Sequence, residues 1–200
     1  MENKKYDIIY ADCPWNYADR GCQGTMANHY KGIELEDIKK LPVGDIAEEN
    51  CVLFMWATYP MLREALAVIE AWGFKYKSIA FQWIKLNKKG KGYFYGLGRW
   101  TRGNTECCLL ATKGKPKRIS ASVFQIIEQP LTKHSEKPQE ARDKIIKLMG
   151  DLPRIELFAR KKTDGWDVWG NEVKSDIELN NGNDGIPPKP KDLGILPTIT

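Results

Sequence analysis

Asp12-Cys13-Pro14-Trp15, followed by Asn16 and Tyr17, gathers a carboxylate, a proline-stiffened backbone and an aromatic plane within four consecutive residues. Groups of these kinds can grip a flat heterocycle by an exocyclic amine. The Asp12 carboxylate accepts one amine hydrogen, the Cys13 carbonyl accepts the other, and the Trp15 ring stacks on the heterocycle. Because Cys13 precedes a proline, its backbone is pushed towards extended conformations, which helps to hold that carbonyl outward. The same residues at a strand end are also ordinary turn chemistry, so the tetrapeptide alone leaves a turn and a site both open.

Charge supplies a second signal. Between Lys85 and Arg118 stand ten basic residues and one acid, Glu106, a local charge of +9 in a chain whose net charge is +5. The remainder of the chain is therefore at −4. Trp83, Tyr93, Phe94, Tyr95 and Trp100 are interleaved with these cations. Cations for phosphates and flat faces for bases are what contact with an unstacked nucleic-acid strand requires. The competing reading is a solvated, lysine-rich loop. On the first reading Lys88, Lys89, Lys91, Arg99 and Arg102 bind substrate, and Glu106 either shapes the site or forms a salt bridge to Arg99 or Arg102.

The elements that must position these residues alternate between strand and helix. Tyr6 to Ala11 is an apolar run that ends abruptly at Asp12, as a buried strand does. A long polar stretch to Gly32 follows, then a short helix from Glu34 to Leu41, a second apolar strand from Cys51 to Ala57, and a helix from Tyr59 to Trp72 closed by Gly73. Phe74 to Leu86 and Thr105 to Thr112 read as strands flanking the basic loop, an antiparallel insertion or edge hairpin. Pro138 opens a helix with Ala141, Ile145, Leu148 and Met149 on one face, and Arg154 to Ala159 and Trp166 to Trp169 are the last strands. From Ser175 the chain is rich in Asn, Gly, Pro and Lys without apolar periodicity. The expected division is a domain over 1–174 and a loosely ordered tail over 175–200. Alternation of this kind argues an α/β layered fold, in which ligands sit beyond the carboxyl ends of the strands.

Composition narrows the function classes. With 200 residues, 42% of them hydrophobic, the chain is long enough for one well-packed domain. No apolar stretch is long enough for a membrane span, and the charged N-terminus lacks the apolar segment of a secretory signal, so a cytoplasmic protein is expected. Five cysteines with no Cys-x-x-Cys pair point to reduced, buried thiols. The spacing of Cys13, Cys22 and His29 matches no zinc pattern, and no metal is expected. The cluster of Met55, Trp56, Met61 and Leu62 reads as core, and the glycines at 90, 92, 96 and 98 as loop flexibility.

Asp12-Cys13-Pro14-Trp15 resembles the Asp-Pro-Pro-Trp motif of the permuted β-class adenine N6 methyltransferases. That group includes the catalytic subunit of the messenger-RNA adenosine methyltransferase and many bacterial and phage DNA enzymes. The resemblance runs from Tyr6 to Glu172 through separate segments in the family's order, among them Val52 to Ala57, Gly98-Arg99-Trp100, Asn104-Thr105-Glu106, His134 to Pro138, Ile155 to Arg160 and Gly170-Asn171-Glu172. Cys13 stands where the family has its first proline.

The resemblance implies a Rossmann-like, three-layer methyltransferase sandwich on a mixed, circularly permuted sheet, with S-adenosylmethionine as cofactor. It implies cofactor contacts from Asp12, Lys137, Arg160, Asn171 and Glu172, with Lys137 on the methionine carboxylate and Asn171 and Glu172 on the ribose. Asp12, Cys13, Pro14 and Trp15 would carry the chemistry, and Tyr17 would join Trp15 on the target base. The expected reaction is methyl transfer to the N6 amine of adenine in DNA. The alternatives are the same reaction on RNA, or a catalytically silent nucleic-acid-binding subunit. Small size tilts the choice to DNA and leaves room for a homodimer or a heteromeric partner subunit.

Overall fold

The computed structural model describes residues 4–15, 33–98, 100–132 and 136–179. Among these residues seven strands form one sheet: β1 (Tyr6–Ala11), β2 (Ala47–Ala57), β3 (Lys75–Leu86), β4 (Thr105–Lys113), β5 (Ile126–Pro130), β6 (Arg154–Leu157) and β7 (Asp167–Trp169). Their order across the sheet is β5-β3-β4-β2-β1-β6-β7. Every neighbouring pair is parallel except the two that involve β4, so β4 alone runs against the rest.

Strict alternation makes the central strands two-faced. In β2, Leu53, Met55 and Ala57 enter one core while Val52, Phe54 and Trp56 enter the other. In β1, Ile9 and Ala11 share the first core and Ile8 and Tyr10 the second. A period of two with apolar residues at every position is what a strand buried on both faces requires. Large side chains buried this fully contribute about 1.5–3 kcal/mol each.

Helices cover each face, which completes three layers. On one side lie α1 (Leu35–Lys40) and α2 (Leu62–Ala71), the latter presenting Ala65, Val68 and Ile69. Trp72 just beyond α2 donates its indole N–H to the Ile38 carbonyl at 2.9 Å and ties the two helices together. On the other side, α3 (Gln139–Met149) buries Ala141, Ile145 and Met149, a spacing of four that forms one stripe. Arg142 on α3 grips Glu156 on β6 through two hydrogen bonds of 2.8 and 2.6 Å, with its guanidinium 5.1 Å from the Tyr10 ring centroid. That buried fork fixes α3 against the strands that carry the site.

Three expectations change. The β3–β4 pair is no edge insertion: β4 sits inside the sheet between β2 and β3, and β5, absent from the sequence reading, takes the edge. The strand expected over Arg154 to Ala159 stops at Leu157, because Phe158 takes a φ of 60°, in the left-handed region. Ordered contacts also run past the boundary expected at 174. The Asp176 N–H donates to the Val168 carbonyl at 2.9 Å, and Leu179 is 3% exposed in the core. The rest of the expected tail, from 180, lies outside the described residues. Cys13, Cys51, Cys107 and Cys108 are free and buried, and Cys22 lies outside the description. Among the described residues no helix is long and apolar enough to cross a membrane.

Candidate active site

The chain leaves β1 for β2 on one side and leaves β6 for β7 on the other, so the carboxyl ends of β1 and β6 flank the crevice where strand order reverses. An open parallel sheet is accessible to a ligand at that point. Asp12 is the first residue beyond β1 there, and Phe158 the first beyond β6.

Around Pro14 the backbone turns tightly. The Trp15 N–H donates to the Cys13 carbonyl at 2.9 Å, and the Ile33 N–H donates to the Pro14 carbonyl at 3.1 Å, closing a bridge between Trp15 and Ile33. This three-residue turn uses one lone pair of the Cys13 carbonyl and leaves the second. Trp15 departs from the expected open stacking face, since its ring is 4% exposed and belongs to the core on the α1 and α2 side. Its indole N–H has no hydrogen-bond partner among the described residues. Burial pushes the Cys13 thiol well above its ordinary pKa, so the thiol is neutral and a poor nucleophile.

Lys137 reaches the same point from the segment just ahead of α3. Its ammonium is 2.9 Å from Asp12 Oδ2 and 3.0 Å from Glu106 Oε1, and 5.7 Å from the centroid of the Trp56 ring. Glu106 is the second residue of β4, and the reversal of β4 brings that amino end to the carboxyl ends of its neighbours. Its other oxygen, Oε2, lies 2.9 Å from Lys85 Nζ near the end of β3, and Lys85 in turn sits 5.0 Å from the centroid of the Trp83 ring. The outcome is an alternating chain of charges, Asp12, Lys137, Glu106 and Lys85. Burial would raise the Glu106 carboxyl, but Lys137 and Lys85 outweigh it and hold the group below the usual carboxylate range. Burial would likewise lower the Lys137 ammonium, and Asp12 and Glu106 reverse that and keep it charged.

Among the described residues Glu106 pairs with two lysines and not with Arg102. Arg102 instead lies 4.6 Å from the Tyr95 ring centroid, and Arg99 is outside the described residues. Sequence reasoning missed Lys85 as the second partner of Glu106. Its signal was the two-residue spacing from Trp83, which places both side chains on one face of β3.

A second group stands at the ends of β6 and β7. The Ala159 N–H donates to the Trp169 carbonyl at 3.0 Å, and Gly170 lies so close to the Ala159 backbone that no Cβ would fit. Beyond this point, Arg160 Nε is 3.9 Å from Glu172 Oε1, with Asn171 exposed beside them. Lys88, Lys89 and Lys91 are exposed on the β3–β4 connection. Tyr17, His29 and His134 fall outside the described residues.

Comparison with known proteins places this arrangement in a family. A family model described as MT-A70 matches residues 6–172. The Type II methyltransferase M.MunI of Mycoplasma sp is 34% identical over 193 residues, spanning 86% of this chain and 80% of that protein. The N(6)-adenine-specific methyltransferase METTL4 of Mus musculus is 27% identical over 185 residues, 85% of this chain and 38% of that protein. The N(6)-adenosine-methyltransferase MT-A70-like protein of Arabidopsis thaliana is 26% identical over 180 residues, 88% of this chain and 25% of that protein. The chain thus spans most of the first relative and well under half of the other two. It belongs to the MT-A70 family, whose members are S-adenosylmethionine-dependent adenine N6 methyltransferases.

Proposed function

We propose that this chain transfers a methyl group from S-adenosylmethionine to the N6 amine of adenine in DNA. The observation that carries the reading is the Asp12 carboxylate, held at the end of β1 by the buried Lys137 ammonium beside the Cys13 carbonyl. DNA is favoured by the Type II methyltransferase, the relative whose length this chain most nearly spans among those compared.

The residues present fit the cofactor. Lys137 keeps one N–H beyond those given to Asp12 and Glu106, enough for a carboxylate. Asn171 and Glu172 supply the amide and carboxylate suited to ribose hydroxyls, and Arg160 stands next to them. When bound, the cofactor supplies a methyl group on a positively charged sulfur.

An adenine amine is a poor nucleophile because its lone pair is delocalised into the ring. Two acceptors, Asp12 Oδ and the free lone pair of the Cys13 carbonyl, draw the two amine hydrogens and localise that pair. Orientation and electrostatics then do most of the work. The nitrogen, made acidic by the methyl it gains, gives up one hydrogen as a proton to the Asp12 carboxylate or to water, so no strong base is required. Lys137 keeps Asp12 in place, and Glu106 keeps Lys137 in place. The exposed lysines of the β3–β4 connection hold phosphates.

The test is transfer of isotopically labelled methyl to unmethylated DNA and, in parallel, to RNA, with nucleosides identified by mass and Asp12→Ala as control. Labelled N6-methyldeoxyadenosine that disappears in the variant is expected. Label in RNA alone would overturn the choice of polymer. Cofactor binding without label in either would point to a missing partner subunit or a silent subunit.

A further inference from the structure

The connection between β3 and β4 is built as a finger that rises from the site. Its root is fastened by hydrogen bonds from the Lys85 N–H to the Asn104 carbonyl and from the Phe94 N–H to the Lys85 carbonyl, both 2.8 Å. Leu86 pairs with Tyr93 in a bridge just above. Farther out, Gly96 lies against the backbone of Gly103, and Gly98 against that of Thr101, each so close that a Cβ would overlap a carbonyl oxygen. Of the four glycines read as loop flexibility from sequence, Gly96 and Gly98 instead let the outgoing and returning chains touch. Lys85 and Glu106, at either side of the root, both belong to the charge chain that ends on Asp12.

At the tip, Trp100 is 99% exposed. A tryptophan in water leaves a large apolar surface unpartnered, and here two glycine pinches hold it away from the body of the protein. No acid occurs from Leu86 to Thr105. Arg102 stands two residues from Trp100, Lys88, Lys89 and Lys91 are exposed on a separate turn nearer the root, and Tyr93 and Tyr95 are exposed between them in sequence. Such a surface complements a polyanion with flat, stackable faces. An adenine in a duplex must also leave its stack before its amine can reach Asp12, and the gap it leaves destabilises the duplex.

We propose that Trp100 is the wedge that enters the base stack of duplex DNA beside the target adenine as that base swings out. Apolar side chains inserted between base steps do this in other proteins that deform DNA. The inference rests on the adenine methyltransferase reading and adds to it the residue that opens the duplex.

The test compares wild type, Trp100→Ala and Trp100→Phe on native and heat-denatured plasmid DNA from a host lacking adenine methylation, with kcat/KM as readout. For Trp100→Ala the ratio of native to denatured activity should fall about ten- to hundredfold, the loss that removing one base–aromatic stack brings. Trp100→Phe should recover most of it. An equal fall on both DNAs overturns the wedge, and if the variant also changes the oligomeric state in light scattering, the finger is a protein interface instead. A wild-type chain that binds cofactor and methylates neither DNA sinks the DNA methyltransferase reading and the wedge with it, a result distinct from equal losses.

Discussion

Lys137 Nζ donates to Asp12 Oδ2 at 2.9 Å, joining residues 125 positions apart. Removing that ammonium leaves the buried Glu106 with Lys85 alone among the described residues and frees Asp12 from its anchor. Lys137→Met, which keeps the length of the side chain, should destabilise the fold by about 3 kcal/mol, the usual scale for a buried pair broken on one side. The urea midpoint reads this loss. The rise in melting temperature on adding S-adenosylmethionine should vanish in the same variant, and Lys137→Arg should recover part of the stability. A methionine variant with wild-type midpoint and an unchanged cofactor shift would refute the role given to this ion pair.

The charge chain also fixes how stability depends on pH. Glu106 is held below the usual carboxylate range in the folded state, so its contribution is complete above about pH 5 and is lost as pH falls through its folded value. Lys137 has the opposite sign: held above the usual amine range, it contributes fully below about pH 10 and loses that contribution only in stronger alkali. Glu106→Gln removes the acid-side dependence alone. The gap in unfolding free energy between wild type and Glu106→Gln should therefore narrow between about pH 5 and pH 3. A gap that stays constant over that range would show that Glu106 does not carry the acid limb.

Which parts were legible from sequence follows from what each residue responds to. β1, β2 and α3 answer to local periodicity, and Tyr6–Ala11 and Gln139–Met149 stand where the pattern put them to within a residue or two. β5 has one buried apolar side chain, Ile127, which makes no pattern. The place of β4 between β2 and β3 is a tertiary choice that no local signal encodes. The same holds for the site. Asp12 was visible because a strand ends on it, whereas the pairing of Lys85 with Glu106 depends on the antiparallel register that sets Trp83 opposite Glu106. Burial of Trp15 was invisible for a similar reason, since it arises where Trp15 meets Ile33 from the far side of a long connection.

Phosphate binding by the exposed lysines of the finger leaves a thermodynamic mark. Each phosphate that a variant no longer neutralises should make the dependence of log affinity on log salt shallower by about 0.9 for duplex DNA. Replacing Lys88, Lys89 and Lys91 together by Ala should thus flatten the slope by roughly two to three units, measured by fluorescence anisotropy with a DNA duplex between about 50 and 200 mM salt. All three side chains are exposed, so the fold should be unaffected. An unchanged slope would place the DNA elsewhere on the molecule.

Cys13 tests whether the motif works through its backbone. Its thiol is buried and neutral, and only its carbonyl faces the task of accepting an amine hydrogen. Cys13→Ala removes the sulfur and keeps the carbonyl, at a packing cost of about 1 kcal/mol in stability. Its kcat/KM should stay within about tenfold of wild type. Asp12→Asn keeps the shape of the side chain but loses the charge that both the amine and Lys137 meet, so its kcat/KM should fall on the order of 10²-fold or more. The two variants touch adjacent residues of one turn and differ in whether the change falls on an acceptor. If Cys13→Ala costs as much as Asp12→Asn, the side chain takes part in the reaction and the carbonyl does not act alone.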